Sequence, residues 1–114
     1  MADQTLDLLR GTLDLLILRA LSWQPLHGYG VARWIEGITD DVLRVEEGSL
    51  YPALYRLEKR AWVESEWGLS ENNRKARYYR LTRRGRSQLR TETDNFTRFA
   101  RAVFKAIEAT PQPA

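Results

Sequence analysis

The chain of 114 residues has no cysteine and a single histidine, His27. Without cysteine there is no disulfide framework and no thiolate metal site, and the composition fits a reducing cytoplasm. One histidine without titratable neighbours cannot build a catalytic dyad or a histidine metal site, so His27 reads as a turn or capping residue. Long apolar runs are missing too. The longest, Leu15 to Leu18, is far short of the ~20 residues that cross a bilayer. No secretory leader is legible, and no membrane contact is expected. Gly28 and Gly30 lack the G-x-G-x-x-G context of a phosphate-cradling loop. The acidic pairs Asp40-Asp41 and Glu46-Glu47 flank turns and a helix start, where carboxylates are favoured for structural reasons. An enzyme is therefore the poorest reading, and neither a cofactor nor a metal is expected.

What is present is one domain's worth of chain, with 43% apolar residues to fill a modest core. The net charge of +3 is mild, but its distribution is not. Residues 1–48 hold 8 acidic and 4 basic side chains, residues 49–91 hold 4 and 11, and residues 92–114 hold 3 of each. A basic middle in an otherwise acidic or neutral small domain is an electrostatic footprint for a polyanion. A merely solvated basic surface would explain the total but not the clustering.

The stretch from Glu46 to Arg60 carries the sharpest pattern. Leu50, Ala53, Leu54 and Leu57 recur at the i, i+3, i+4, i+7 spacing of one helical face. At about 100° per residue, Tyr51, Pro52, Tyr55, Arg56 and Lys59 fall opposite. Pro52 has no N–H, so the spacing predicts a start near Gly48 or Ser49, with Pro52 in the first turn and Ser49 a candidate cap. Taken alone, this helix of about 48–60 reads equally as a major-groove reader or as a plain amphipathic helix.

Before it, Thr5 to Trp23 predicts a helix with one stripe at Leu6, Leu9, Leu13, Leu16, Ile17, Ala20 and Leu21. Leu8, Leu15 and Leu18 form a second stripe, which would need another surface such as a partner chain. Gln24-Pro25 ends that helix. Leu26 to Gly30 then turns into a second helix with Val31, Trp34, Ile35 and Ile38 inside, broken by Gly37, Thr39, Asp40 and Asp41. Val42–Val45 reads as a brief strand. After Arg60 the period becomes two: Trp62–Trp67 and Arg77–Leu81 alternate about a polar turn with Asn72-Asn73 at its tip, a hairpin of about 62–81. Thr82 stands where an N-cap belongs, and a long helix runs to about Ala109, followed by a frayed tail. Trp23, Trp34, Trp62 and Trp67 are expected mostly in the core, with Trp23 or Trp67 able to line a pocket.

Helix, helix, helix, two-stranded wing, long helix is the winged-helix order. The expected fold is mainly α with a small β-hairpin: a winged helix-turn-helix over residues 1–81 and a C-terminal dimerisation helix with its tail over 82–114. Residues Leu89, Phe96 and Val103 recur every seven, with Phe99, Phe104 and Ile107 widening the face. Seven-residue spacing is the seam of a helix packed lengthwise on another, so a homodimer is expected through these residues together with Leu8 and Leu15. Phe96 and Phe99 would lie where two such helices cross, and either hold a flat aromatic effector or simply fill the dimer core.

These motifs resemble the PadR family of winged-helix transcriptional regulators. The matching elements are Gly11-Thr12-Leu13 with Leu16-Ile17-Leu18, then Leu26-His27-Gly28-Tyr29-Gly30, then Gly48-Ser49-Leu50-Tyr51-Pro52-Ala53-Leu54 with Arg56-Leu57-Glu58. Arg74-Lys75 before Tyr78-Tyr79, and Leu81-Thr82 with Gly85, complete the match, which covers roughly Leu9 to Leu89. The resemblance implies a homodimeric DNA-binding repressor of the short subgroup, with one C-terminal helix. It implies DNA contacts at Ser49, Tyr51, Pro52, Tyr55 and Arg56, and at Asn73, Arg74 and Lys75 in the wing. Lys59 and Arg77 join them because charge aligns with both DNA-facing elements. The expected partner is double-stranded DNA with an inverted-repeat operator. The alternative is a winged helix used for protein–protein contact, which would keep the fold but not need the basic stripe.

Overall fold

The computed structural model describes residues 10–111. Along the chain come α1 (Arg10–Ala20), β1 (Leu26–His27), α2 (Gly28–Ile38), α3 (Glu47–Lys59), β2 (Val63–Leu69), β3 (Lys75–Leu81) and α4 (Arg83–Ile107). This is the winged helix-turn-helix with a long last helix that the periodicities predict. The expected start of the first helix, with Leu6, Leu8 and Leu9, and the tail 112–114 lie outside the described residues.

Helix α1 is the hub, packed against α2, α3 and α4. Leu13, Ile17, Leu18 and Leu21 join Val31 and Ile35 of α2 and Leu50, Ala53, Leu54 and Leu57 of α3 in one core. Enclosure by three helices explains why α1 is greasy on more than one side. It also corrects the expectation of a spare stripe at one position: Leu18 is fully buried within the chain, while Leu15 is half-buried and Leu8 lies outside the described residues.

The sheet has three strands, not two, in the order β1-β3-β2 and antiparallel throughout. Leu26 and His27 pair with Tyr79 and Tyr78, so the expected turn before α2 is a short edge strand. Its last residue caps α2, with the Gly30 N–H donating to His27 Nδ1 at 2.9 Å. This is the capping role expected of the only histidine.

Both helices of the helix-turn-helix end the same way. The Asp41 N–H donates to the Glu36 carbonyl and the Trp62 N–H to the Leu57 carbonyl, each across six residues. Asp40 and Ala61, just past the caps, take left-handed φ values of 53° and 64°. Such Schellman ends satisfy the last carbonyls and swing the chain off the helix axis. Ile38, expected inside, sits at that swing and is exposed. Val42–Val45 is not a strand and joins no edge of the sheet. Side chains hold it instead: the Val45 N–H donates to the Glu36 carboxylate at 3.0 Å and the Leu43 N–H to Thr39 Oγ1 at 3.2 Å.

Thr82 caps α4 as predicted, accepting the Gly85 N–H at 3.0 Å while its hydroxyl donates to the Ala61 carbonyl at 2.7 Å. A Cβ at Gly85 would stand 2.0 Å from the Trp62 carbonyl oxygen, so only glycine lets α4 start against that backbone. Leu89 still packs on the core. Beyond it α4 leaves the body, and the molecule measures 65 × 35 × 20 Å. Phe96, Phe99, Val103, Phe104 and Ile107 are 38% to 69% exposed. No helix among the described residues is long and apolar enough to cross a membrane.

Candidate nucleic-acid interface

Helix α3 buries the leucine face predicted for it and exposes Ser49, Tyr51, Pro52, Tyr55 and Lys59. Its start lies earlier than expected. The helix begins at Glu47 with Glu46 at the N-cap and no side-chain cap, so Ser49 is not the cap. Pro52 consequently falls in the second turn and leaves the Gly48 carbonyl, on the exposed side, without its helical donor. Lys59 Nζ lies 5.5 Å from the centre of the Tyr55 ring. Arg56 is the larger correction. Instead of facing outward, its guanidinium turns to Asp14 of α1 at 2.8 Å, with the two side chains 24% and 11% exposed. Spacing alone places it at the edge of the outer face, and only the fold brings a carboxylate within reach.

The wing is fixed to α3 by a polar clamp. Ser65 Oγ donates to Glu58 at 2.7 Å, and Arg77 donates through Nε to Ser65 Oγ at 2.8 Å and through its terminal nitrogen to Glu58 at 3.4 Å. Strand alternation puts Ser65 and Trp67 of β2 and Lys75, Arg77 and Tyr79 of β3 on the face toward α3. Trp67 lies 5.8 Å from Lys75 Nζ and 5.9 Å from the Arg77 guanidinium. The opposite face carries Glu64 paired to Arg80 at 2.9 Å, so charge there is largely cancelled. Between the strands, Asn73 takes a φ of 60° and donates its N–H to the Ser70 carbonyl at 2.8 Å. This throws Asn73, Arg74 and Lys75 into solvent.

A second tie holds the wing tip. His27 Nε2 lies 3.4 Å from the Glu71 carboxylate, and the His27 ring packs 5.2 Å from the Tyr78 ring. A backbone N–H, and then His27, holds the Glu71 carboxyl below its usual range. With Nδ1 engaged by Gly30, His27 meets Glu71 through the other nitrogen, so one ring serves both the helix cap and the wing.

These ties leave a concave groove of about 660 Å³ between the helix starts and the wing. Tyr29 and Tyr51 form one wall, and Trp67, Arg74, Lys75 and Arg77 the other. A second hollow of about 500 Å³ continues past Tyr51 and Arg77 to Tyr55 and Lys59. The Tyr51 ring lies so close over α2 that a Cβ at Gly28 would meet it at 2.8 Å. Tyr79 floors both hollows, and burial pushes its phenol above the ordinary range.

The structure thus gathers Tyr51, Tyr55, Lys59, Arg74, Lys75 and Arg77 on one concave side. Ser49, Pro52 and Asn73 stay exposed, outside the lining of either hollow. Arg56 is drawn toward α1. Trp67 lines the groove, as the sequence allowed for it, whereas Tyr29 was not foreseen as a site residue. Trp67 had a legible signal, since it alternates with Ser65 and Val63 on the strand face shared with Arg77. Trp23 is also exposed, whereas Trp34 and Trp62 pack on the core as expected. Among the described residues, no group of acidic or histidine side chains could hold a metal ion.

A helix-turn-helix whose following hairpin shares a cation-lined groove with its second helix defines the winged-helix class of DNA-binding domain. Comparison with known proteins takes this one step further. Residues 17–91 match the Transcriptional regulator PadR-like family. A transcriptional regulator from Clostridium thermocellum superposes with a TM-score of 0.78 at 29% identity, over 87% of this chain and 96% of that one. A PadR family transcriptional regulator from Eggerthella lenta gives 0.75 at 31% identity, over 94% and 91%. An uncharacterized protein X of Lysinibacillus sphaericus is 34% identical over 83 residues, 73% of this chain and 76% of its own length. The chain belongs to the PadR-like family of transcriptional regulators, as its motifs suggested, and is a DNA-binding regulator.

Proposed function

We propose that the chain is a homodimeric, sequence-specific transcriptional repressor that reads an inverted-repeat operator. In this reading α3 enters the major groove and presents Ser49, Tyr51, Pro52 and Tyr55 to base edges. Lys59 and Arg77, with Asn73, Arg74 and Lys75 at the wing tip, take the flanking sugar-phosphate backbone or minor groove. The observation that carries it is the groove itself: Tyr29 and Tyr51 face Trp67 across it, and Lys59, Arg74, Lys75 and Arg77 outnumber the carboxylates Glu58 and Glu71 in the lining, next to the outer face of α3. A winged helix serving only protein contact would not need that alignment of charge.

Pairing of two chains through α4 is supported by its distal face, where three phenylalanines, a valine and an isoleucine stand exposed. Leaving such side chains in water forgoes up to about 1.5–3 kcal/mol each, which a small domain tolerates poorly. Residues 1–81 would then form the reading head and the far part of 82–114 the dimer seam. The Phe96 and Phe99 rings, 6.4 Å apart and tilted by 44°, offer that seam an aromatic surface on which a flat apolar effector could settle and shift the spacing of the heads.

Selection from a randomised duplex pool tests the reading. Enriched sequences should be inverted repeats with half-sites about one helical turn apart, or a multiple of it. Sedimentation of the protein bound to them should give two chains per duplex. A pool that never enriches, or a single unpaired half-site bound by one chain, would overturn it.

A further inference from the structure

We infer that Arg56 is a positioning residue: its ion pair with Asp14 fixes the rotation of α3 against α1, and so sets which side chains reach the DNA. The inference rests on the proposed reading of α3 as the helix in the major groove. Arg56 directly follows Tyr55 on that helix, yet it binds a carboxylate from 42 residues earlier in the chain, at 2.8 Å. Asp14 is the buried charged side chain among the described residues, and Arg56 Nε is buried without a hydrogen-bond partner among them.

Placing such a pair between two helices is a poor way to gain stability, because apolar side chains of similar volume hold helices together as well or better. What the pair supplies is direction. The core around it is aliphatic, with Leu13 and Ile17 from α1 and Leu54 and Leu57 from α3, and aliphatic packing is non-directional. A guanidinium held by a carboxylate has a preferred geometry that resists rolling and sliding of α3. Rolling would carry Tyr51 and Tyr55 together across the base edges. Because α1 also packs on α4, the same pair relates the reading face to the helix proposed to join two chains.

The test compares Asp14→Asn, Arg56→Gln and the double variant Asp14→Leu/Arg56→Met with the wild type. The probes are a duplex enriched from a random pool by the wild-type protein and a scrambled duplex of equal length, titrated at several salt concentrations on folded protein. Both single variants should lower the preference for the enriched duplex by about ten- to a hundredfold, the equivalent of one or two misaligned base contacts. Neither should change the slope of log affinity against log salt. The double variant, melting at or above the wild-type temperature, should show the same loss of preference. If Asp14→Asn keeps full preference while Arg56→Gln loses about one unit of slope, Arg56 is a phosphate contact and the inference is wrong. Full preference in the double variant overturns it as well, since packing alone would then suffice. Tyr51→Ala, measured alongside, separates the two levels. Undiminished preference there overturns the reading of α3 and this inference with it. A loss there, with none in the Asp14 and Arg56 variants, overturns this inference alone.

Discussion

Removing wing cations one at a time should divide them by their existing partners. Arg80 is paired to Glu64 at 2.9 Å, and Arg77 is held by Ser65 and Glu58. Arg74 and Lys75, at the tip, make no ion pair among the described residues and are exposed. Each phosphate contact contributes about 0.9 to the slope of log affinity against log salt, because a bound cation releases condensed counterions. Across a fourfold rise in salt, that is about a 3.5-fold loss of affinity per contact. Arg74→Ala/Lys75→Ala should therefore flatten the slope by about 1.8 and reduce the salt-induced loss roughly twelvefold. Lys75→Ala alone should flatten it by about 0.9, on specific and random duplexes alike. Arg80→Ala, whose cation is already neutralised, should leave the slope nearly unchanged. Fluorescence anisotropy titrations at four or five salt concentrations resolve these differences. Equal flattening by Arg80→Ala and Lys75→Ala would refute the reasoning, as would a Lys75→Ala protein with altered sequence preference and an unchanged slope.

Gly28→Ala puts a methyl group 2.8 Å from the Tyr51 ring and should displace that flexible ring, eroding operator preference in the same titrations while the protein stays folded. Gly85→Ala meets backbone instead, 2.0 Å from the Trp62 carbonyl oxygen, and should destabilise by about 2–4 kcal/mol in denaturant melts. Ala61→Gly relieves a left-handed residue at φ 64° in the α3 cap, and thermal unfolding should show a gain of about 0.5–1 kcal/mol. Phe99→Asp, at a position 60% exposed in the single chain, should fold normally yet sediment as a monomer at micromolar concentration.

What the sequence made legible is what short-range periodicity and caps encode. The leucine face of α3, the Thr82 cap, the hairpin about Asn72-Asn73 and the apolar stripe of distal α4 each need only a few neighbouring residues to be read. What it hid depends on residues far apart. Strand β1 is two residues long and exists only because Tyr78 and Tyr79 lie alongside it. Which surface takes up Leu18 of the second α1 stripe is hidden because the number of helices around α1 cannot be counted from α1 itself. Val42–Val45 has strand-like composition, but its Val45 and Leu43 N–H groups are taken by the Glu36 and Thr39 side chains of α2 and its C-cap, which the local pattern does not show. Arg56 is the instructive case: a helical wheel puts it beside Tyr55 and Lys59, and only Asp14 on another helix turns it inward. Trp67 was visible in the alternation of β2, but its significance depended on Tyr29 and Tyr51 standing across the groove.

The most direct test of the central claim, that the outer face of α3 reads sequence, is the ratio of affinities for the enriched duplex and its scrambled counterpart at one fixed, near-physiological salt concentration. The wild type should prefer the enriched duplex by about a thousandfold or more, the range of specific DNA-binding proteins. Tyr51→Ala/Tyr55→Ala should collapse that ratio by orders of magnitude while still binding both duplexes through Lys59 and the wing. Equal affinity of the wild type for the two duplexes, or a ratio untouched by removal of both tyrosines, would contradict it.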